Sequence, residues 1–345
     1  MTGLADAALL SVVAIGSAFG ASALGHARWP RRSPAAAILL WQALGLAAGL
    51  AAVGTLIGLA VPGGNGGVVR AALQADMPFR PDGSLGVDGA STIMVAIRLA
   101  CLAAGLALLG SLCWVLVAAS AAAVQARRRQ RALLTLLAHG DPKVPGALVV
   151  DYPTAAAYCL PGLRSQIVVS VGTLELLGRG ELAAVLAHER AHLRERHDLV
   201  LLPFTALRRA FPRSATCTDA HRAVALLVEM LADDRALRGR PARELVSALV
   251  RFGTAGAWQA PAGALAAAEG EVAARVARLL QPVRPLPTAT VAGICLASAL
   301  LVAVPVTLLL VLLPGNSSCY QGPYGPELVP PPLRKPFTLG RTSAR

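Results

Sequence analysis

Four stretches of the chain carry no charged residue: Ala7–Gly25, Ala35–Val61, Leu99–Val124 and Thr288–Leu313. A helix needs about 20 apolar residues to cross the hydrocarbon core of a bilayer, and a soluble helix of that length keeps a polar face. The pattern therefore predicts four transmembrane helices, at about 7–25, 35–61, 99–124 and 287–314. The first is short and rich in Ala, Gly and Ser. A signal peptide places basic residues before its apolar run. Here Asp6 precedes the run and the arginines follow it, so a retained helix is expected.

Between the third and fourth runs, residues 125–286 are the place left for a water-soluble fold. Two β-like runs come first, Ala147–Tyr152 and Gln166–Ser170. Helical stretches follow at Gly180–Arg194, Leu199–Ala210, Asp219–Arg238, Ala242–Phe252 and Val272–Leu280. The run Leu199–Leu207 is too short to span a bilayer and reads as a core helix interrupted by Pro203. Strands followed by helices predict an α+β fold, mostly α, with a small sheet. Residues 315–345, with Pro330, Pro331 and Pro332, read as an extended tail.

Composition agrees with a membrane chain. Of the 345 residues, 55% are hydrophobic and 15% charged, and mean hydropathy is +0.59; soluble domains carry about 25% charged residues. The net charge is +13, and only Lys143 and Lys335 among the basic residues are not arginine. Arg28, Arg31 and Arg32 lie between the first two runs, and Arg127, Arg128, Arg129 and Arg131 just after the third. The positive-inside rule then places the N-terminus outside and residues 125–286 in the cytoplasm. These clusters abut membrane runs, where they would meet anionic headgroups, and no aromatic residues interleave to stack bases. Lipid is the expected partner and nucleic acid is not. The six cysteines form no CxxC pair, so neither a disulfide framework nor a thiolate zinc site is expected.

The chemistry concentrates in ELAAVLAHERAHLRERHD, Glu181–Asp198. His188 and His192 are four apart and share a helix face, so both imidazoles can reach one metal ion. Glu189 lies about 100° round the helix, placed to contact a water on that metal. That is the pattern of a zinc site with a carboxylate general base. A catalytic zinc takes three protein ligands and keeps a fourth position open. Glu229, in VEMLADDRAL, is the expected third ligand. Asp233, four residues on, then accepts a hydrogen bond from a ligand imidazole. Asp234 and His221 are rival ligands by spacing alone.

The string VLAHERAHLRERHD followed by EMLAD, Glu229–Asp233, resembles the integral-membrane gluzincin peptidases, in which an E-x-x-A-D pattern supplies the third zinc ligand. It is most similar to the BlaR/MecR-type antirepressor metallopeptidases, whose zinc domain sits between membrane helices; HtpX-type peptidases share the core. The resemblance covers about Val144–Leu280. It implies a zincin-like cytoplasmic metallopeptidase domain between the third and fourth membrane helices, with one Zn²⁺ per chain held by His188, His192 and Glu229. Two departures matter. Residues 315–345 carry no Ser-x-x-Lys, so β-lactam sensing is not implied. His197 stands five residues after His192, where relatives often place an aspartate, and Asp198 follows it.

The expected activity is hydrolysis of peptide bonds in a protein or peptide substrate, with Glu189 as general base and the strand Ile167, Val168, Val169 and Ser170 offering its edge to an extended substrate. Regulatory cleavage of a cytoplasmic protein such as a repressor is the leading role. Quality control of membrane proteins, as in HtpX-type enzymes, and a non-catalytic zinc-stabilised scaffold are the alternatives.

Overall fold

The computed structural model describes residues 2–60, 89–141, 144–162, 165–255, 262–281 and 284–312. The long apolar runs form helices because nothing in them competes with the backbone for hydrogen bonds. These helices are α1 (Thr2–His26), α2 (Pro34–Ala60), α3 (Gly89–Leu137) and α10 (Thr288–Leu312). Each is long and apolar enough to cross a membrane. A single 3-10 turn, Trp29–Arg32, with Pro30 buried, folds α2 back along α1. α2 packs against α1, α3 and α10. Small residues permit the close approach: a Cβ on Gly58 would lie 3.2 Å from the Cβ of Ala7 on α1. Such small-residue contacts are how helices associate in lipid, where apolar burial gives no net drive.

α3 does not stop near Val124. Apart from Thr135, the residues from Gln125 to Leu137 are Ala, Arg, Gln and Leu, all good helix formers, and no Gly or Pro comes until Gly140. The helix therefore continues as a stalk beyond the apolar run, and Leu134 anchors its end against Leu160 and Val168 of the sheet. Arg127 turns inward to pair with Asp198 at 3.1 Å, so this member of the basic cluster meets a protein carboxylate rather than a headgroup.

The sheet has four strands in the order β1-β2-β4-β3, where β1 is Ala138–Gly140, β2 Ala147–Val150, β3 Ala157–Leu160 and β4 Gln166–Ser170. β4 runs parallel to β2, with Ala147 opposite Ile167, and antiparallel to β3, with Ala157 opposite Val169. The expected substrate strand, Ile167–Ser170, is thus interior: both of its edges are already hydrogen-bonded, and its Ile167, Val168 and Val169 are buried. The free edge on that side belongs to β3. Neither β1 nor β3 is visible in the apolar pattern.

α4 (Val171–Leu176) follows β4 directly. The Ser170 hydroxyl accepts from the backbone N–H of Thr173 at 3.2 Å and of Ala156 at 2.8 Å, and Thr173 Oγ1 donates to the Ala156 carbonyl at 2.9 Å. One helix cap therefore also pins the segment that leads into β3. α5 (Arg179–Arg194) lays Leu182 and Leu186 on the sheet beside Ile167 and Val169. Then come α6 (His197–Ala210), α7 (Ala215–Ala236), α8 (Ala242–Thr254) and α9 (Ala262–Leu280). α6 runs unbroken through Pro203. Gln42 of α2 reaches across and donates to the Val200 carbonyl at 2.7 Å. Phe204 of α6 and Val224, Leu227 and Val228 of α7 form one core with Leu24, Ala37, Ile38, Trp41 and Leu44 of α1 and α2. Trp41 and Phe204 meet edge to face, with centroids 6.3 Å apart.

Gly172 sits where a side chain cannot: an added Cβ would lie 2.0 Å from the Pro153 carbonyl oxygen, whereas one on Gly140 meets nothing within 4 Å. Gly172→Ala is expected to destabilise the fold by about 1–3 kcal/mol, the usual cost of overpacking, and Gly140→Ala to leave it nearly unchanged. Thermal unfolding of both variants in detergent measures the difference.

Candidate metal centre

α5 carries the H-E-x-x-H. Its first turn is fixed by Glu181, whose carboxylate accepts from the Gly178 N–H at 2.8 Å, bonds Ser247 of α8 and pairs with Arg251 at 3.2 Å. Two turns on, His188 and His192 lie one above the other. Their Nε2 atoms are 3.1 Å apart, and Glu229 of α7 puts its two oxygens 3.3 Å from His188 Nε2 and 3.5 Å from His192 Nε2. Donors bound tetrahedrally to zinc at 2.0–2.1 Å are separated by about 3.3 Å. The three side chains thus converge with the spacing of a metal's ligand shell, and they are the group among the described residues placed to hold an ion. The donor set of two imidazoles and a carboxylate suits Zn²⁺.

The shell behind these donors is also built. Asp233, only 1% exposed, sets Oδ1 3.0 Å from His188 Nδ1, off the line of a straight hydrogen bond. Arg275 of α9 grips both carboxylates. Its Nε donates to Asp233 Oδ2 at 2.9 Å, one terminal nitrogen to Asp233 Oδ1 at 2.6 Å, and the other lies 3.0 Å from Glu229 Oε2. On the far side, Arg196 adopts a left-handed conformation, φ 51°, which few non-glycine residues tolerate. The turn folds His197 back under α5, so that its Nδ1 lies 3.0 Å from His192 Nδ1. His197 Nε2 lies 3.4 Å from Glu195, which Arg235 in turn pairs. If His197 gives its Nε2–H to Glu195, its Nδ1 accepts the His192 Nδ1–H, and His192 Nε2 keeps a lone pair for the metal.

Burial and charge set the protonation of these groups. Burial lowers the affinity of His188 for a proton, but Asp233 and Glu229 outweigh it and bring its pKa up to about 9. The carboxylates that favour a proton there favour a divalent cation for the same reason. Burial lowers His192 to about 4 and lowers His197 as well. Burial would raise Glu229 and Asp233, yet His188 and Arg275 hold both well below the carboxylate range. Glu189 goes the other way, raised to about 7 chiefly by burial, which suits a base that must also return its proton. The Cys159 thiol hydrogen-bonds Glu189, and burial pushes it up to about 12, so it stays protonated.

His188, Glu189, His192, Glu229, Cys159 and Arg275 line a cleft of about 430 Å³. One wall is Ala155–Cys159, leading into and along β3; the other is apolar, with Leu245, Leu249 and Phe252 of α8 and Val272 of α9. Every expected ligand, the base Glu189 and Asp233 fall together. The rival ligands do not join them. Asp234 is held by Arg278 through two bonds of 2.7 and 2.9 Å. His221 stands apart, two turns earlier on α7, its pKa lowered by burial and by Arg208 and Arg222. Cys159 gives no signal in the sequence, because it belongs to no local pattern.

Arg275 is 6% exposed and Asp233 1%. Removing one partner of a buried pair strands the other charge and costs about 3–5 kcal/mol. Arg275→Met is expected to destabilise the domain by that order, read as a lowered unfolding midpoint. Arg251→Met, at a pair whose arginine is half exposed, is expected to cost far less.

The family model described as Peptidase family M48 matches residues 118–229. The match runs from within α3, through the sheet and the H-E-x-x-H helix, and ends on Glu229. No curated protein and no solved structure matches the chain. The matched stretch contains His188, His192 and Glu229, and the similarity is consistent with a membrane-type, BlaR/HtpX-like metallopeptidase of that family.

Proposed function

We propose that the chain is a membrane-embedded, zinc-dependent metalloendopeptidase, and that His188, His192 and Glu229 hold the one Zn²⁺. The convergence of their donor atoms at 3.1–3.5 Å carries this reading. Bound there, zinc supplies a Lewis acid for the scissile carbonyl and lowers the pKa of a water towards ~7. Glu189 takes the proton of the attacking water and returns it to the leaving amine. Asp233 and His197 orient the two imidazoles from behind, and Arg275 fixes Glu229 and Asp233 against each other.

Substrate binding moves from β4 to β3. The free edge of β3 faces the cleft and can pair with an extended peptide through backbone hydrogen bonds, which accept many sequences. Leu245, Leu249, Phe252 and Val272 form the opposite wall and suit an apolar side chain next to the cleaved bond. The arginine distribution favours a cytoplasmic catalytic domain with the N-terminus outside. The helix layout, with the domain between the third and fourth apolar helices, favours regulatory cleavage of a cytoplasmic protein such as a repressor.

Two measurements test the site. Glu189→Gln should keep about one zinc per chain and lose proteolysis, about 100-fold or more; full activity would remove the general-base role. His197→Ala should weaken zinc binding by about 10–100-fold in a competition titration, and His197→Asp, which restores an acceptor for His192 Nδ1–H, should recover most of it. Equal affinity in all three forms would show that His197 only packs.

A further inference from the structure

α9 separates two cavities. It turns Val272 and Arg275 towards the metal centre and Glu271 towards a second cavity of about 550 Å³ on its other side. That volume lies within the range of small-molecule sites. The remaining polar walls come from four places: His26 at the end of α1, Arg31 in the 3-10 turn, Trp41 on α2, and Asp219 and Arg222 near the start of α7.

Position is the first argument. The apolar run of α1 gives way at His26, and α2 begins at Pro34. Arg32 Nε donates to the Arg284 carbonyl at 3.0 Å, just before α10 begins at Thr288. The end of α1 thus lines this cavity and α2 begins beside it, so the cavity lies where two membrane-length apolar runs stop.

Charge is the second. The cavity presents two guanidinium groups, Arg31 and Arg222, and two carboxylates, Asp219 and Glu271. The Arg222–Asp219 pair is loose, 3.8 Å apart with both side chains more than half exposed, so screening leaves it little strength. Arg31 uses its carbonyl to accept from Arg278 at 2.8 Å, while its guanidinium has no ion-pair partner among the described residues. A free phosphate or a purely anionic headgroup would satisfy the arginines and leave two carboxylates facing it. A ligand carrying one phosphate and one ammonium, on apolar chains that lie along α1, matches the charged lining.

We propose that this cavity binds the headgroup of a zwitterionic membrane phospholipid, its phosphate on Arg31 and Arg222 and its ammonium on Asp219 and Glu271. The inference rests on the membrane reading of the apolar helices and not on peptidase activity. The full chain is assembled in nanodiscs of equimolar phosphatidylethanolamine, phosphatidylcholine and phosphatidylglycerol, and the lipids retained on release are weighed by native mass spectrometry. The zwitterionic lipids should be enriched over phosphatidylglycerol by on the order of tenfold, at about one per chain. Arg31→Ala/Arg222→Ala should lose the enrichment, and Asp219→Asn/Glu271→Gln should shift it towards phosphatidylglycerol. Glu189→Gln should retain lipid like the native chain, which separates this site from the catalytic reading. Retention that follows the bulk composition, preference of the native chain for phosphatidylglycerol, displacement by millimolar inorganic phosphate, or four-residue indifference across the two double variants would overturn the proposal.

Discussion

The structure depends on a buried charge cluster that is stable only when complete. His188, Asp233 and Arg275 are all at least nine-tenths buried, and they come from α5, α7 and α9. Each charge alone would be costly to desolvate. Together, the arginine bridges the two carboxylates, one carboxylate holds an imidazole, and the imidazoles face Glu229. No two of these helices can shift apart without stranding a charge. The cluster therefore fixes α5, α7 and α9 relative to one another, and with them the donors that converge on the metal position.

The long apolar helices extend that constraint. α7 is held on its other face by the core it shares with α1 and α2, so the helix that carries Glu229 and Asp233 is clamped between the charge cluster and the apolar bundle. α6, docked on the same core and linked to α2 through Gln42 and Val200, begins with His197 under His192. A displacement of α2 would reach the ligand shell by either route. This gives a chain of this architecture a physical path between events in the bilayer and the cleft.

Much of this was legible in the sequence because it is local. The apolar runs, the H-E-x-x-H helix and the four-residue spacing of Glu229 and Asp233 are periodic signals that survive without tertiary context. What was not legible depends on pairing at a distance. Ala157–Leu160 has no alternating pattern, and only its register with β4 makes it a strand. That pairing is also why β4 is covered and the substrate edge moves to β3. Arg275 lies far along the chain from its partners and looks like any helical arginine. Hydropathy ends at Val124, although the helix propensity that carries α3 on to Leu137 does not. Pro203 predicts an interruption, yet α6, docked on α2, stays intact around it.

The central claim is a ligand shell of two imidazoles and one carboxylate with no sulfur. X-ray absorption at the zinc edge of the purified chain reads that shell directly. Nitrogen and oxygen scatterers only are expected, at about 2.0–2.1 Å, with the outer-shell signature of two imidazoles. A sulfur scatterer at about 2.3 Å, which would bring Cys159 into the shell, or the absence of bound zinc would contradict it.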